Sequence, residues 1–303
     1  MPINFSTSPA IFRWKPAAWL RVSGSDAATF LQGQFSNDLR PLGLAPGADG
    51  AVYGLWLTVK GKVEADSFVL RGLGSEEFWV GSYASPAAVI RARLESFVIA
   101  DDVVIEDETA AWAAATLLNV GAAAPRAGDG VVVFPGRRGA GEAWEWVYRA
   151  EAGEPSAVEA AIAAGATELT PVDLERRRIA ARVPAVPRDL GPGDLPNEGG
   201  LEEAAVSYTK GCYLGQEVMA RLKAMGQVRR QLVRVAAEGG SVPTTPTPVF
   251  AGAKAAGELR SAVDDGAGGW IGLALVSRLN VGGATALGLT AEGAATIRLL
   301  DTP

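Results

Sequence analysis

The residues best suited to chemistry stand together in segment 208–226, YTKGCYLGQEVMARLKAMG. This segment contains the only cysteine of the chain, Cys212, which follows Lys210 and precedes a predicted helix. A nearby ammonium group and the positive end of a helix both favour the thiolate, the nucleophilic form of cysteine. We therefore predict that Cys212 is a nucleophile or redox group and that Lys210 favours its ionised form. The alternative, a buried structural cysteine in a tight turn, stays open at this point.

The residues that follow this cysteine could recognise a small heterocycle. Gln216 and Glu217 place an amide and a carboxylate in the first turn of the predicted helix, where they can pair with ring donors and acceptors. The apolar spacing, together with Glu217 and Arg221 four residues apart, predicts a helix over residues 217–225. The pattern thus predicts a polar loop and helix start that bind a ligand beside the thiol.

Composition excludes several classes of site. The 303 residues include no histidine, which removes Ser-His-Asp and Cys-His catalysis and histidine metal ligands. With one cysteine, no internal disulfide can form, and the chain's own thiolates cannot hold an iron–sulfur cluster alone. The net charge of -6 argues against general nucleic-acid binding. A free thiol without a signal peptide or membrane span leads us to expect a cytoplasmic protein with no membrane partner and no metal site of its own.

The elements that must position these residues follow from hydrophobic spacing and turn residues. Up to residue 182, short β-type runs alternate irregularly with single helices, which is typical of an α+β fold rather than a regular βαβ series. A glycine turn at residues 60–62 joins two β-type runs into a predicted hairpin. Helices are predicted at residues 25–35, 86–97, 156–164 and 170–181, the first capped by Ser25 or Asp26 and the last by Thr170.

The composition changes twice along the rest of the chain. Residues 183–200 are rich in proline and glycine, and we predict a long irregular segment there. After residue 229 short β-type runs are separated by glycine- and proline-rich breaks, which is typical of a small barrel or sandwich. We therefore predict two domains, residues 1–228 and residues 229–303.

The motif in segment 208–226 resembles the signature K-G-C-Y-x-G-Q-E of the YgfZ-type folate-binding proteins, which are relatives of the glycine-cleavage aminomethyltransferase (T-protein). The matching residues are Lys210, Gly211, Cys212, Tyr213, Gly215, Gln216, Glu217 and, further along the helix, Arg221. The resemblance extends over nearly the whole chain through shorter matches at residues 30–34, 37–39, 60–62, 195–198, 257–261 and 273–275. The sequence is therefore similar to the T-protein (GcvT) superfamily.

This resemblance implies a fold, a cofactor and a function. The implied fold is a GcvT-like ring of two intertwined α/β subdomains plus a C-terminal β-barrel, with tetrahydrofolate or a one-carbon derivative in a central hole. The implied function is to assist maturation or repair of iron–sulfur proteins, with client or assembly proteins as partners, an indirect link to thiolated tRNA, and a monomeric state. Carried onto this chain, Cys212 and Lys210 become the catalytic pair. Gly211, Gly215 and Arg221 become structural motif residues, and the expected folate contacts are Tyr213, Gln216, Glu217, Glu198, Asn37, Asp38, Lys60 and Trp56.

Two alternatives remain. In a folate-dependent one-carbon transferase, the T-protein pattern would place an aspartate where this chain has Ala65. Neighbouring strand residues point to opposite faces, so we expect Glu64 and Asp66 to face away from the side of Ala65. The absence of an acidic group on that side argues against glycine cleavage as the function. In a tRNA adaptor, Arg229, Arg230 and Arg234 would form a basic patch.

Overall fold

The structure is a computed structural model that describes residues 8–42, 50–121, 130–226 and 228–303. The strands are β1 (Ala10–Trp14), β2 (Ala18–Ser23), β3 (Val52–Leu57), β4 (Val63–Arg71), β5 (Glu77–Ser82), β6 (Val104–Asp107), β7 (Trp112–Leu118), β8 (Val131–Pro135), β9 (Ala143–Arg149), β10 (Thr167–Glu168), β11 (Arg230–Ala237), β12 (Thr247–Ala251), β13 (Lys254–Asp264), β14 (Trp270–Ser277), β15 (Ala286–Leu287) and β16 (Ile297–Leu299). The α-helices are α1 (Ala27–Gln34), α2 (Ala87–Glu95), α3 (Ser156–Ala163), α4 (Pro171–Ala180), α5 (Glu202–Ala205), α6 (Gln216–Met225) and α7 (Arg278–Val281). Short 3-10 helices lie at Arg40–Leu42, Thr109–Ala111, Ala150–Ala152 and Pro196–Gly199.

The strands before residue 170 form two five-stranded sheets. The first has the order β10-β1-β7-β9-β8 and the second the order β3-β4-β5-β2-β6. Strands β1 and β2 are consecutive in the chain, yet each lies inside a different sheet. The two sheets are therefore tied together at the start of the chain.

The hydrophobic core forms one layer behind the second sheet and another between the sheets. Helices α1 and α2 cover one face of the second sheet, where Phe30, Leu31 and Ile90 are buried with Trp56. The opposite face contributes to a larger core that also contains residues of the first sheet and of the irregular segment after α4. This central core is where side chains from both sheets meet.

The last six strands form a nearly closed barrel. Their order is β12-β13-β14-β11-β16-β15, and a bridge between Phe250 and Gly288 joins the two edges. Helix α4 packs on β13 and β14 and connects this barrel to the rest of the molecule. The predicted mixed α/β fold with a C-terminal barrel is confirmed, whereas the domain boundary at residue 228 stays a prediction.

The predicted side-chain cap is present at the start of α4 and absent at the start of α1. At α4, Thr170 caps the helix as the sequence predicts, and the structure adds a reciprocal capping box between Thr170 and Asp173. At α1, neither Ser25 nor Asp26 caps the helix, because both side chains bond to Asp102 on a neighbouring loop. The α1 capping prediction is therefore wrong: an interaction distant in sequence replaces the local one.

Candidate functional site

Two cavities open into the central core between the sheets. Cavity I has a volume of about 400 Å³ and is lined by Asn37, Asp38, Tyr53, Phe68, Gly136 and Arg137, among others. Cavity II, of about 160 Å³, is lined by Asp66, Tyr83, Arg137, Arg138, Glu175 and Arg178, among others. Arg137 lines both cavities.

Asp66 is a buried carboxylate at cavity II. Its Oδ1 accepts hydrogen bonds from the hydroxyls of Ser82 (2.8 Å) and Ser85 (2.6 Å), and its Oδ2 accepts one from Tyr53 (3.0 Å). A carboxylate has about four acceptor positions, so Oδ2 keeps one for another donor. Burial raises the pKa of Asp66, and the three hydroxyl donors and Arg137 oppose that effect without overcoming it.

Arg137 supplies positive charge at both cavities. Its guanidinium carbon lies 4.2 Å from the centroid of the Tyr53 ring, and its backbone N–H donates to the hydroxyl of Tyr83. No carboxylate lies within ion-pair distance of its side chain among the described residues. Arg137 is therefore available to an anionic group in either cavity.

A second buried carboxylate, Glu145, belongs to the first sheet. It accepts hydrogen bonds from Trp14, Tyr83 and Thr116 and from the Arg138 Nε at 3.1 Å. The Arg138 side chain lies over the Tyr83 ring, and its Nη2 is buried without an acceptor among the described residues. Glu145 thus fixes the wall of cavity II through an ion pair and three neutral donors.

The sheet register decides which carboxylate of β4 faces the cavities. Trp56 pairs with Ala65 but Leu57 pairs with Val63, so Glu64 is an extra residue in a β-bulge. Glu64 consequently turns toward α2, where it accepts a hydrogen bond from Arg93.

Ala65 and Asp66 therefore lie on opposite sides of the sheet. Ala65 is buried against the helices α1 and α2, while Asp66 lines cavity II. The expectation that Glu64 faces the same way as Asp66 is wrong because of the bulge. Asp66, and not Ala65, therefore faces the cavities, so the alanine at position 65 does not exclude one-carbon transfer.

Sequence reasoning missed Asp66 and Arg137 as site residues. The available signal was a carboxylate inside the apolar strand sequence VEADSFVL, because a charged residue is rarely buried without a partner. For Arg137 no such signal existed, since it lies in a glycine-rich loop after β8 whose position depends on the packing of the two sheets.

Tight packing of Gly215 fixes the cysteine motif against the turn between β3 and β4. Gly215 has a φ of +87°, and a Cβ there would lie 2.7 Å from the carbonyl oxygen of Thr58. Helix α6 therefore starts directly against the turn between β3 and β4 only with glycine at this position. A Cβ at Gly211 would meet no atom within 4 Å, so packing in the described chain does not require glycine there.

Cys212 is exposed. It does not line cavity I or cavity II, so the expectation that it borders the folate channel is not met by these two cavities. The alternative of a buried structural cysteine is excluded. The thiol is accessible from solvent.

Lys210 is buried, with 5% of its surface exposed, and points toward the end of α1. Its Nζ donates to the backbone carbonyls of Gln32 (2.6 Å), Phe35 (2.7 Å) and Asn37 (2.9 Å). All three ammonium hydrogens are used, so the structure supports a positioning role in place of the expected catalytic one. Burial lowers the pKa of Lys210 to about 8.

The other motif residues are distributed between core and surface. Tyr213 is buried in the central core, where burial raises its pKa to about 12 and its hydroxyl has no partner among the described residues. Gln216 is half-buried, while Glu217 and Arg221 are exposed and form no ion pair with each other within the described helix. None of these four lines cavity I or cavity II.

The remaining predicted folate contacts fall into different places. Asn37 and Asp38 line cavity I, and Arg40 holds the pKa of Asp38 well below its usual range. Lys60 is exposed at the hairpin turn. Trp56 is fully buried behind the second sheet with its Nε1 bonded to Ser67, which corrects the expectation that it walls the channel.

Glu198 lies outside the two cavities. Its carboxylate accepts from Arg230 at 2.8 Å and from the backbone N–H of Leu195 at 2.7 Å. This corrects the expectation that Glu198 faces the pterin, because it lines a separate cleft with Arg221. In the basic patch expected for tRNA, Arg230 is thus paired, and Arg234 is paired with Asp301.

Comparison with solved structures defines the class of fold. The chain is similar to the crystal structure of glycine cleavage system aminomethyltransferase T from Bartonella henselae, with a TM-score of 0.75 and 15% identity over 97% of this chain and 86% of that chain. The protein therefore has the fold of glycine-cleavage aminomethyltransferases. At this level of identity the likeness establishes the fold alone.

Two relatives define the family. Iron-sulfur cluster assembly factor IBA57, mitochondrial, of Homo sapiens is 33% identical over 243 residues, covering 75% of this chain and 66% of that protein. The Mus musculus protein of the same name is 30% identical over 287 residues, covering 88% of this chain and 76% of that protein. The chain belongs to the family of these IBA57 proteins, which confirms the resemblance to a YgfZ-type member of the T-protein superfamily. No family model matches the chain.

Both relatives carry the word mitochondrial in their names, so a cytoplasmic location stays a prediction for this chain. Within the described ranges, no helix combines the length and apolar character needed to cross a bilayer.

Proposed function

We propose that this protein binds a reduced folate between its two five-stranded sheets and acts in iron–sulfur cluster assembly. The observation that carries the folate proposal is Asp66, a buried carboxylate at cavity II with one acceptor position left. The fold of an aminomethyltransferase and the resemblance to folate-binding proteins support the same ligand. The IBA57 relatives support the part in cluster assembly.

The lining of the cavities fits the chemistry of a folate. A pterin ring carries N–H donors, and one of them can bond to the open position on Asp66 Oδ2. The aromatic rings of Tyr53 and Phe68 provide flat apolar surface in cavity I. Arg137 provides a cation for a carboxylate of the glutamate tail. In this arrangement the pterin lies toward cavity II and the tail toward cavity I.

The folate proposal is tested by calorimetric titration with tetrahydrofolate, folinate and an unrelated pterin. Asp66→Asn keeps the size of the side chain but removes its charge, and we expect it to weaken tetrahydrofolate binding about tenfold or more. Asp101→Asn, at an exposed loop position, is the matched control and should bind like the wild type. Absence of binding to the wild type, or equal affinity of the Asp66 variant, would refute the proposal.

We propose that the exposed thiol of Cys212 acts in iron–sulfur cluster assembly and does not take part in folate binding. A single thiolate cannot hold a cluster, so contact with one requires ligands from a client, a second subunit or a small thiol. We expect that Cys212→Ser no longer complements a strain from which this protein has been deleted, while its affinity for tetrahydrofolate stays unchanged. Thr209→Ala, at an exposed position three residues earlier in the same loop, is the control. Full complementation by the Cys212 variant would exclude this role.

One-carbon transfer to tetrahydrofolate is the second candidate function. The specific observation in its favour is that Asp66, not Ala65, faces the cavities, which supplies the acidic group that such transfer requires. A turnover assay with aminomethyl-lipoyl and N-methyl donors distinguishes the candidates. Transfer from aminomethyl-lipoyl yields methylenetetrahydrofolate with release of ammonia, and transfer from an N-methyl donor yields methyltetrahydrofolate with release of the demethylated amine. One-carbon transfer predicts such a product, which Asp66→Asn eliminates, whereas a purely binding role predicts none.

A further inference from the structure

A cleft beside helix α6 carries charge that the proposed function does not use. It has a volume of about 730 Å³ and lies between α6, the 3-10 helix Pro196–Gly199 and the start of β11. We call it the cationic cleft, and its charged lining residues are Lys62, Glu198, Arg221, Arg229 and Arg230. It shares no lining residue with cavity I or cavity II.

Among the described residues, carboxylates neutralise one of the four cations in this cleft. Arg230 pairs with Glu198 and Asp194, at 2.8 and 2.9 Å. Lys62, Arg221 and Arg229 have no carboxylate within ion-pair distance among the described residues. The one acidic group of the lining, Glu198, is already paired and so does not supply a free negative charge.

Gathering three unpaired cations around one cleft has an electrostatic cost. Like charges that face one space repel each other, and a bound anion would remove that repulsion. The chain as a whole has a net charge of -6, so this local excess of positive charge opposes the general composition. A positive cleft in an acidic protein attracts anions to that place alone.

The volume and the apolar lining residues of the cleft favour a small molecule as its ligand. Its volume falls within the roughly 300–1,000 Å³ of small-molecule sites. Leu195, Leu222 and Val228 add apolar surface beside the cations. Arginine pairs with phosphate or carboxylate through two parallel hydrogen bonds, and two of the three unpaired cations are arginines.

We propose that the cationic cleft binds a small polyanion, a molecule that carries at least two phosphate or carboxylate groups. Lys62, Arg221 and Arg229 are its charge contacts. The site is separate from the proposed folate site, so either can be occupied or absent without the other.

Calorimetric titration at low salt with inorganic pyrophosphate, citrate and inorganic phosphate tests the proposal. Comparing pyrophosphate with citrate shows whether the cleft prefers phosphate or carboxylate groups. Pyrophosphate or citrate should bind more tightly than phosphate, because a single group reaches fewer of the cations. The double variant Arg221→Ala/Arg229→Ala should weaken that binding about tenfold or more. Arg298→Ala, which removes an exposed arginine of β16 outside the cleft, should change nothing.

Both substituted arginines are exposed and form no ion pair within the described chain, so the double variant should keep the wild-type Tm. Equal affinity of wild type and double variant, or no binding of any of the three anions, would overturn the proposal. Tight binding of a single-stranded RNA oligonucleotide that neither pyrophosphate nor citrate displaces would also overturn it, in favour of a nucleic-acid surface.

Discussion

The two sheets each bury one carboxylate toward the central core, and the two carboxylates are stabilised in different ways. Glu145 accepts four hydrogen bonds, one of them from the guanidinium of Arg138. Asp66 accepts three, all from neutral hydroxyls, and Arg137 lies nearby without bonding to it. The difference lies in the counter-charge: Glu145 has a bonded cation, and Asp66 does not.

This difference separates a structural carboxylate from one that is free to act. The Glu145 carboxylate receives its hydrogen bonds from within the protein and forms a buried ion pair with Arg138. Removing either member of this pair would leave a buried charged group without its partner. Asp66 keeps an open acceptor position, and burial raises its pKa. A ligand that donates a hydrogen bond or brings a cation can therefore change the ionisation of Asp66 more easily than that of a carboxylate locked to arginine.

The largest effect on stability is expected at Glu145. Glu145→Gln removes the charge that pairs with Arg138 and replaces one acceptor oxygen by an amide NH2 that faces other hydrogen-bond donors. This change should lower the free energy of unfolding by about 3 kcal/mol or more. Urea denaturation measures this loss, with Glu151→Gln on the surface as the control. A loss below about 1 kcal/mol would show that Glu145 is no more constrained than Asp66.

Lys210 is a third buried charged group, and its ammonium donates to three backbone carbonyls. Lys210→Met leaves three carbonyls near the end of α1 without their donor, and we expect a loss of about 2 kcal/mol in the free energy of unfolding at pH 7. Lys254→Met, in an exposed strand end, is the control. Unchanged stability would show that water replaces the ammonium.

The pH dependence of this loss has a defined sign. Burial lowers the pKa of Lys210 to about 8, whereas a lysine in the unfolded chain has a pKa of about 10.4. Between these values the unfolded state binds more protons, so the stability of the wild type relative to Lys210→Met should rise with pH. A difference that stays flat across this window would contradict the lowered pKa.

The smallest effect on stability is expected at Asp66. Asp66→Asn should change the free energy of unfolding by about 1 kcal/mol or less at neutral pH, because the neutral side chain avoids the cost of a buried charge. Since the folded pKa is raised, the folded state holds the proton more tightly. The wild type should therefore lose stability relative to Asp66→Asn as the pH rises through that folded pKa. Denaturation from about pH 4 to about pH 8 tests this, and a pH-independent difference would contradict it.

Local features of the fold could be predicted from the sequence. The capping box of α4 follows from Thr170 and Asp173 at the required spacing, and the hairpin of β3 and β4 follows from the turn at residues 60–62. The end of α6 at Gly226 and the barrel strands likewise depend on neighbours in sequence. Each of these signals involves residues that lie a few positions apart.

The candidate site could be predicted only in part, because it depends on contacts between distant residues. The bulge at Glu64 turns this carboxylate toward α2 and away from the side that Asp66 faces, and no pattern within β4 indicates the bulge. The direction of Lys210 depends on carbonyls more than 170 residues earlier in the chain. Trp56 has an apolar side chain suited to either face of the sheet, and only the packing of α1 and α2 places it behind the sheet.

The assignment of β1 and β2 to different sheets has a consequence for folding cooperativity. Only residues 15–17 separate these strands, and each lies between two other strands of its sheet: β1 between β10 and β7, β2 between β5 and β6. A fragment that starts after residue 23 would lack an interior strand in both halves at once. The two halves are thus expected to melt in a single transition, and separate expression of either one should yield an aggregation-prone product.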